Sequence, residues 1–184
     1  MSKIDEQNAR IDSLEAQVAM LESHVDHLCT CYESQEQYSR RLCLRIDRVP
    51  LPLKGTKETA DQVLDKVKKL FEEMEVDFPE NVIDRAHRIG GIKSSDGMPS
   101  SQAIIVRLTT WHHRTMVYQA RKKAKVAKFR LDLTKARLDL LIAAQELLKP
   151  HPNCFAFADI NCRLRVCSNN KLHLFDKLKR IVEG

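Results

Sequence analysis

The sequence predicts an α+β protein in which an N-terminal coiled-coil helix precedes a basic body of strands and helices. Apolar residues recur every 3.5 positions over the first 35 residues, and short alternating segments separated by amphipathic helices follow. The charge changes at the same boundary. Residues 1–38 carry 2 Lys/Arg against 8 Asp/Glu, a net charge of −6, whereas residues 39–184 carry 29 against 17, a net charge of +12. A strongly basic body of this kind favours a polyanionic partner over a small substrate.

The first 35 residues form five heptads with Ile4 at position a, and eight of the ten core positions are apolar. A helix with so narrow an apolar stripe buries it only against another helix, so we expect self-association. β-branched residues at a with Leu at d favour dimers, whereas Arg10 at g and Glu15 at e fit the R-h-x-x-h-E pattern of trimers. The predicted oligomerisation residues are Ile4, Arg10, Ile11, Leu14, Glu15, Val18, Leu21, Val25, Leu28 and Tyr32.

The segments after the predicted coiled coil follow the order β-α-β-β-α-β. This order builds a ferredoxin-like antiparallel sheet with both helices on one face, an arrangement shared by RNA-recognition modules and many unrelated domains. The stretch 90–101 is polar and predicts a loop. The predicted elements are a strand at 40–47, a helix opened by the capping box Thr59–Gln62, strands at 82–89 and 102–108, a helix at 111–125 and a strand at 126–133.

A smaller α/β domain is predicted at residues 132–184, after the sheet domain at 39–131. Its first helix ends at Pro150, and Phe155 and Phe157 mark a short strand. Asn169–Asn170 predicts a hairpin turn between two further strands. Phe175, Leu178 and Val182 predict a short terminal helix.

The open face of the predicted sheet lacks an aromatic platform. RNA-recognition modules stack bases on aromatic residues of the first and third strands. Here those strands offer Cys43 and Arg45, and Ala103, Ile105 and Arg107. Binding on this face should therefore rest on arginine contacts to phosphate, with strong salt dependence and little sequence preference.

The densest basic cluster runs from residue 114 to residue 137 and joins the second helix of the sheet domain to the outward face of the fourth strand. That position places it beside Arg41 and Arg45 on the predicted sheet. A charge run is often only a solvated helix face, and this alternative stays open for Lys122 or Lys123 taken alone. The cluster comprises Arg114, Arg121, Lys122, Lys123, Lys125, Lys128, Arg130, Lys135 and Arg137.

The motifs of the common enzyme classes are missing from the sequence. It has no G-x-S-x-G, Walker A, H-E-x-x-H or dinucleotide motif, so we expect neither catalysis nor a cofactor. His24, His27, Cys29 and Cys31 spread around the helical wheel, and only His27 and Cys31 are i, i+4 neighbours, so we expect no metal site. Six scattered Cys and an N-terminus unlike a signal peptide predict reduced thiols in the cytosol or nucleus. The sequence contains no run of 18 or more apolar residues, so we expect no membrane-spanning helix.

Five short motifs follow the heptads in a fixed order: Tyr38–Ile46 (YSRRLCLRI), Arg85–Gly90 (RAHRIG), Ala103–Leu108 (AIIVRL), Ala120–Lys123 (ARKK) and Leu131–Thr134 (LDLT). With the coiled coil, this order resembles the first open-reading-frame protein of LINE-type non-LTR retrotransposons over nearly the whole chain. The resemblance implies a trimeric coiled coil, an RNA-recognition module and a small C-terminal domain. It also implies single-stranded nucleic-acid binding with little sequence preference, coating of the element's RNA and nucleic-acid chaperone activity.

The resemblance also implies functional residues. The family's RNA-contacting arginines match Arg41, Arg45, Arg121 and Arg137, and Phe157 stands where the family often has an aromatic residue. Cys43 replaces a common Asn, and the coiled coil is shorter than in mammalian members. The predicted nucleic-acid-binding residues are Arg41, Arg45, Arg85, Arg88, Arg107, Arg121, Lys122, Lys123, Lys125, Lys128, Arg130, Arg137 and Phe157.

Two function hypotheses follow from these observations. In the first, the protein is a homotrimer, with a dimer as the alternative, that binds single-stranded RNA, with single-stranded DNA as a second candidate ligand. It would act in a cytoplasmic ribonucleoprotein particle, with the nucleus as a further compartment. In the second, the coiled coil is the functional end, and the basic domain of an interaction protein binds an acidic protein.

Overall fold

The computed structural model describes residues 3–52, 58–77, 79, 81–95, 98–168 and 171–174, and its fold is of the α+β class. The chain divides into two compact units, Met1–Tyr38 and Ser39–Gly184. None of the helices in the described residues combines the length and the apolar character needed to cross a membrane. The elements in chain order are α1 (Lys3–Ser39), β1 (Cys43–Asp47), α2 (Ala60–Glu73), β2 (Ile83–Ser95), β3 (Met98–Leu108), α3 (Trp111–Ala120), a 3₁₀ turn (Arg121–Lys123), β4 (Lys128–Leu131), α4 (Lys135–Leu148), β5 (Cys154–Ala158), β6 (Leu164–Ser168) and β7 (Lys171–Leu174).

Helix α1 runs without a break through all five heptads, which confirms the predicted helix. Its seam residues are exposed in the single chain: Leu14 is 49% exposed and Leu21 is 57% exposed. A helix of this length with an uncovered apolar stripe is stabilised when a second helix packs on that stripe. Self-association through the seam stays a prediction.

The second unit contains a four-stranded antiparallel sheet with the strand order β2-β3-β1-β4. Helix α2 begins at the predicted capping box, because Thr59 Oγ1 accepts from the Gln62 backbone N–H at 3.3 Å and Gln62 Oε1 accepts from the Thr59 N–H at 2.9 Å. The two helices and the inner sheet face share one core. Its central residues are Leu44, Ile46, Val63, Val67, Phe71, Ile104, Val106, Val117 and Phe129.

The predicted loop at 90–101 is wrong, because most of it belongs to a long β-hairpin. Strand β2 continues to Ser95 and β3 begins at Met98. Ser94 Oγ and Ser100 Oγ lie 3.0 Å apart across the pair. The described side chains of this part, such as Ile92, Lys93 and Ser94, are exposed and do not pack on the core, so the sequence lacks the two-residue apolar alternation of a half-buried strand.

Three other element boundaries differ from the prediction. Strand β1 begins at Cys43, since Arg40–Leu42 form a turn in which the Cys43 N–H donates to the Arg40 carbonyl at 2.8 Å. Arg41 is thus exposed in that turn and not on the strand. Helix α3 ends at Ala120, before the 3₁₀ turn, and β4 is shorter than predicted. The predicted inward residues of β4, Phe129 and Leu131, are buried.

A second sheet, with the order β5-β6-β7, carries α4 on one face. Ala144 and Leu148 of α4 pack on Ala156 and Val166, which confirms the predicted helix and strands. Strands β6 and β7 pair antiparallel up to Ser168 and Lys171. The predicted turn residues Asn169–Asn170 and the predicted terminal helix lie outside the described residues.

Arg114 is buried, with 1% exposure, so its predicted place in a surface cluster is wrong. Its Nη1 donates to the Ile160 carbonyl at 2.5 Å, and its Nη2 contacts Cys162 Sγ at 3.3 Å. Arg137 Nη1 donates to the Cys162 carbonyl at 2.9 Å. Burial raises the pKa of the Cys162 thiol, although Arg114 opposes that shift. Two arginines thus fix the β5–β6 turn against α3 and α4.

Candidate nucleic-acid interface

The face of the four-stranded sheet opposite the helices carries five of the twelve predicted basic residues: Arg45, Arg85, Arg107, Lys128 and Arg130. Side chains alternate along each strand, so the residues between the core positions share this outer face. The strand register aligns Arg130, Arg45, Ile105 and His87 in one row across β4, β1, β3 and β2. The next row aligns Cys43, Arg107 and Arg85 across β1, β3 and β2. We call this surface the basic face; its members are Cys43, Arg45, Asp47, Arg85, His87, Ile89, Ala103, Ile105, Arg107, Lys128 and Arg130.

No Phe, Tyr or Trp lies on the basic face, in agreement with the predicted lack of an aromatic platform. Three of its arginines have acidic neighbours on the same sheet. Asp47 contacts both Arg45 and Arg130, and Asp84 contacts Arg107 through an Nε–Oδ2 distance of 3.3 Å. The face keeps a net positive charge, which suits contacts to phosphate groups.

The basic turn at residues 121–125 is only partly available to a polyanion. Arg121 stacks 4.0 Å above the Tyr118 ring and donates from Nη1 to the Tyr118 carbonyl at 2.6 Å. Lys123 Nζ donates to Glu75 Oε2 at 2.5 Å, and this contact holds the pKa of Glu75 below its usual value. The exposed Lys122 and Lys125 side chains complete the turn. Both contacts are exposed or half-exposed, so competition by phosphate costs little.

Arg88 points away from the basic face and connects β2 to neighbouring segments through hydrogen bonds. Its Nε donates to Glu58 at 2.8 Å, and its Nη atoms donate to the carbonyl groups of Val49, Pro50 and Gln102 at 2.7–2.9 Å. Only 12% of the side chain is exposed. Burial of the Glu58 carboxylate raises its pKa, but hydrogen bonds from Arg88 and Lys66 outweigh burial, so the net pKa of Glu58 is low.

Replacing Arg88 with Ala is expected to destabilise the fold by about 2–4 kcal/mol, because a partly buried carboxylate and three carbonyl groups each lose a hydrogen bond from the guanidinium. Replacing Arg85, which is exposed on the same strand, should change the unfolding free energy by about 0.5 kcal/mol or less. Urea unfolding of both variants, followed by circular dichroism, measures the difference. Equal stability of the two variants would show that the Arg88 contacts do not stabilise the fold.

The remaining predicted residues are one member of the basic face, Lys128, and two residues outside it, Arg41 and Arg137. Lys128 is exposed beside Asp47 in the register of β1 and β4, whereas Arg137 is partly buried against the β5–β6 turn. Arg41 is exposed in the turn that precedes β1. The structure thus gathers the strand residues on one face but places Arg88 and Arg137 in structural contacts.

The three-stranded sheet has an aromatic pair on the face away from α4. Phe155 is 55% exposed, and its ring centroid lies 5.8 Å from that of Phe157. Arg165 pairs with Phe157 across β5 and β6, and Asp159 holds its guanidinium through a 3.0 Å contact. Sequence reasoning found Phe157 but missed Phe155 and Arg165. The i, i+2 spacing of Phe155 and Phe157 could have indicated Phe155, and the basic residues of the opposing strand could have indicated Arg165.

The described residues offer few of the features that a metal site or a small-molecule site requires. The described residues hold no group of three or more His, Cys, Asp or Glu that could bind a metal ion. His27 Nε2 and Cys31 Sγ lie 3.6 Å apart on α1 as a pair. A cleft of about 220 Å³ beside the C-terminal end of α2 is lined by both apolar and charged residues: Lys68, Phe71, Glu72, Val76, Asp77, Pro79, Val82 and Ile83.

Comparison of the sequence with models of known protein families gave no match, and comparison with curated proteins gave no significant match.

Proposed function

We propose that this protein binds single-stranded nucleic acid, chiefly RNA, through contacts to the phosphate backbone and with little sequence preference. The observation that carries the proposal is the basic face, where Arg45 and Arg130 are cross-strand neighbours and Arg85 and Arg107 form the adjacent pair. A surface rich in Arg and without Phe, Tyr or Trp has donors for phosphate but no planar platform for bases.

We further infer that residues 39–131 form a module of the RNA-recognition type and residues 132–184 a second binding domain. The order of strands and helices and the sheet order β2-β3-β1-β4 support this inference. The resemblance to the first open-reading-frame protein of LINE-type retrotransposons points to the same arrangement. Many unrelated domains share this topology, so the basic face carries more weight.

Single strands are the expected ligand because the aromatic pair on the second sheet needs unpaired bases. Phe155 is exposed and Phe157 is partly exposed, and Arg165 is the cross-strand neighbour of Phe157. Bases in a duplex are stacked on each other and do not reach such rings, whereas splayed bases of a single strand do. Duplexes should therefore bind through phosphate contacts alone and more weakly.

Assembly through α1 would multiply these surfaces. We propose a homotrimer, on the basis of Arg10 and Glu15 and of the family resemblance, with a dimer as the alternative. By the same resemblance, the protein would coat RNA in a cytoplasmic retrotransposon ribonucleoprotein particle. Several linked patches on one polyanion raise the affinity without new contacts.

A competition experiment separates this proposal from binding to an acidic protein. A 20-nucleotide single-stranded RNA should be retained on filters with the protein, and an unrelated RNA of equal length should displace it with about equal affinity. A matched duplex and polyglutamate should compete at least about tenfold less well. Polyglutamate that competes as well as RNA would favour the interaction-protein hypothesis and contradict this one.

The proposed chaperone activity predicts faster annealing of complementary oligonucleotides, without ATP or added metal. A polycation that binds strands loosely screens phosphate repulsion and lets mismatched pairs reopen. Replacement of Lys122, Lys125 and Lys128 by Ala should slow annealing more than it weakens binding, because strand exchange needs several weak contacts. Stopped-flow fluorescence measures annealing, and an equal loss of binding and annealing rate would contradict the multiple-contact mechanism.

A further inference from the structure

Asp47 lies in the middle of the basic face, where its carboxylate contacts two guanidinium groups from neighbouring strands. Arg45 Nε donates to Oδ1 at 3.0 Å, and Arg130 Nε lies 3.0 Å from Oδ2. The Asp47 side chain is 14% exposed. We infer that Asp47 is a positioning residue that holds Arg45 and Arg130 as one pair for the nucleic-acid backbone. The inference rests on the proposed function.

The contacts of Asp47 determine which edge of each guanidinium faces outward. Both arginines bind the carboxylate through Nε, and no other described group contacts the Nη atoms of either one within hydrogen-bond distance. A guanidinium held in this way presents its two Nη groups, whose N–H donors match two oxygens of a phosphate. Asp47 therefore leaves the phosphate-binding edges of both arginines available.

The Arg45 side chain extends across the sheet toward β2. A Cβ atom at Gly90 would lie 3.8 Å from Arg45 Nη2, so the guanidinium reaches from β1 to the backbone of β2. Strand β3 lies between β1 and β2; it carries Ile105 opposite Arg45, and its next outward residue is the small Ala103, which pairs with Ile89. Gly90 has φ +70°, a conformation that other residues adopt only with strain. Arg45 is thus held at Nε by Asp47, and its Nη2 end lies over the backbone of β2 at Gly90.

A carboxylate inside a phosphate-binding surface has two opposing effects. Its negative charge repels phosphate, so its removal should tighten binding if charge alone mattered. Its contacts also limit the rotamers of two long side chains, and free arginines must be ordered when RNA binds. The inference requires that the second effect exceeds the first. Removal of a negative charge from the basic face should then weaken RNA binding.

The test measures the affinity of the full chain for a fluorescent 20-nucleotide oligouridine RNA at one salt concentration. Asp47→Ala should weaken binding about three- to tenfold, and Asp47→Asn should fall between it and the unsubstituted protein, because its one oxygen accepts from only one arginine. Asp84→Ala is the matched control. Among the described residues Asp84 forms an ion pair with Arg107 alone, and it is 53% exposed, so its loss should leave binding unchanged or up to about twofold tighter.

Asp47→Ala in an Arg45→Ala/Arg130→Ala background separates an effect on the position of the two arginines from an effect on the fold. There Asp47 has no arginine to hold, so Asp47→Ala should tighten binding slightly through its charge. Tighter binding of Asp47→Ala in the unsubstituted chain would show that Asp47 only neutralises the face and would overturn the inference. Equal weakening in both backgrounds would assign the effect to the fold and overturn it too. An unsubstituted protein that binds no RNA would defeat the proposed function and the inference with it.

Discussion

Replacing Leu14 and Leu21 with Asp is expected to turn an oligomer into monomers and to weaken RNA binding about 100-fold at nanomolar chain concentration. Both residues occupy d positions of the seam, and both are about half exposed in the single chain. Charges at these positions in neighbouring helices would have to be buried together, which prevents association. Most of the stability of a helix in water comes from the packing of its apolar face, so α1 should also lose helical content when it has no partner helix.

Sedimentation equilibrium and circular dichroism at 222 nm measure both parts of this prediction. The matched control places Asp at Ala16 and Ser23, which adds the same charge at two f positions on the outside of the heptad. That variant should keep its oligomeric mass and its RNA affinity. An unsubstituted protein that already sediments as a monomer would show that the seam does not drive assembly.

Replacing both Arg45 and Arg130 with Ala is expected to weaken binding of every single-stranded RNA by a factor of about 10–100. Each lost phosphate contact should reduce the slope of log affinity against log salt concentration by about 0.7. The two arginines are neighbours across β1 and β4, so they can contact the same stretch of backbone. Filter binding at several salt concentrations with RNAs of different sequence measures both quantities.

The control removes two positive charges from the other side of the sheet. Lys68 and Lys69 are exposed on α2, and their replacement by Ala should change the affinity by less than about threefold. An equal effect of both double variants would mean that net charge, and not the basic face, determines binding. A loss confined to one RNA sequence would indicate contacts to bases.

Local sequence signals predicted much of the fold. The capping box Thr59–Gln62 placed the start of α2 because both of its hydrogen bonds form within four residues. Alternation placed Leu44 and Ile46 inward and Arg45 outward, as the structure has them. The β2–β3 hairpin was missed because strand pairing between Lys93 and Ser101 stabilises segments that bury little apolar surface.

Contacts between distant parts of the chain were beyond sequence reasoning. Arg88 and Arg114 look like surface cations in the sequence, yet their partners Glu58 and Ile160 lie 30 and 46 residues away. The Asp47 contact with Arg130 likewise depends on the register of β1 and β4. A basic residue in a sequence therefore says little about whether its donors face solvent or the chain itself.

The salt dependence of binding to two unrelated single-stranded RNAs tests the central claim most directly. The phosphate-contact account predicts nearly equal dissociation constants for the two RNAs at each salt concentration. It also predicts one common linear slope of log affinity against log salt of about −3 or steeper, since at least four arginines lie on the basic face. Affinities that differ more than about tenfold between the RNAs, or that barely change with salt, would contradict it.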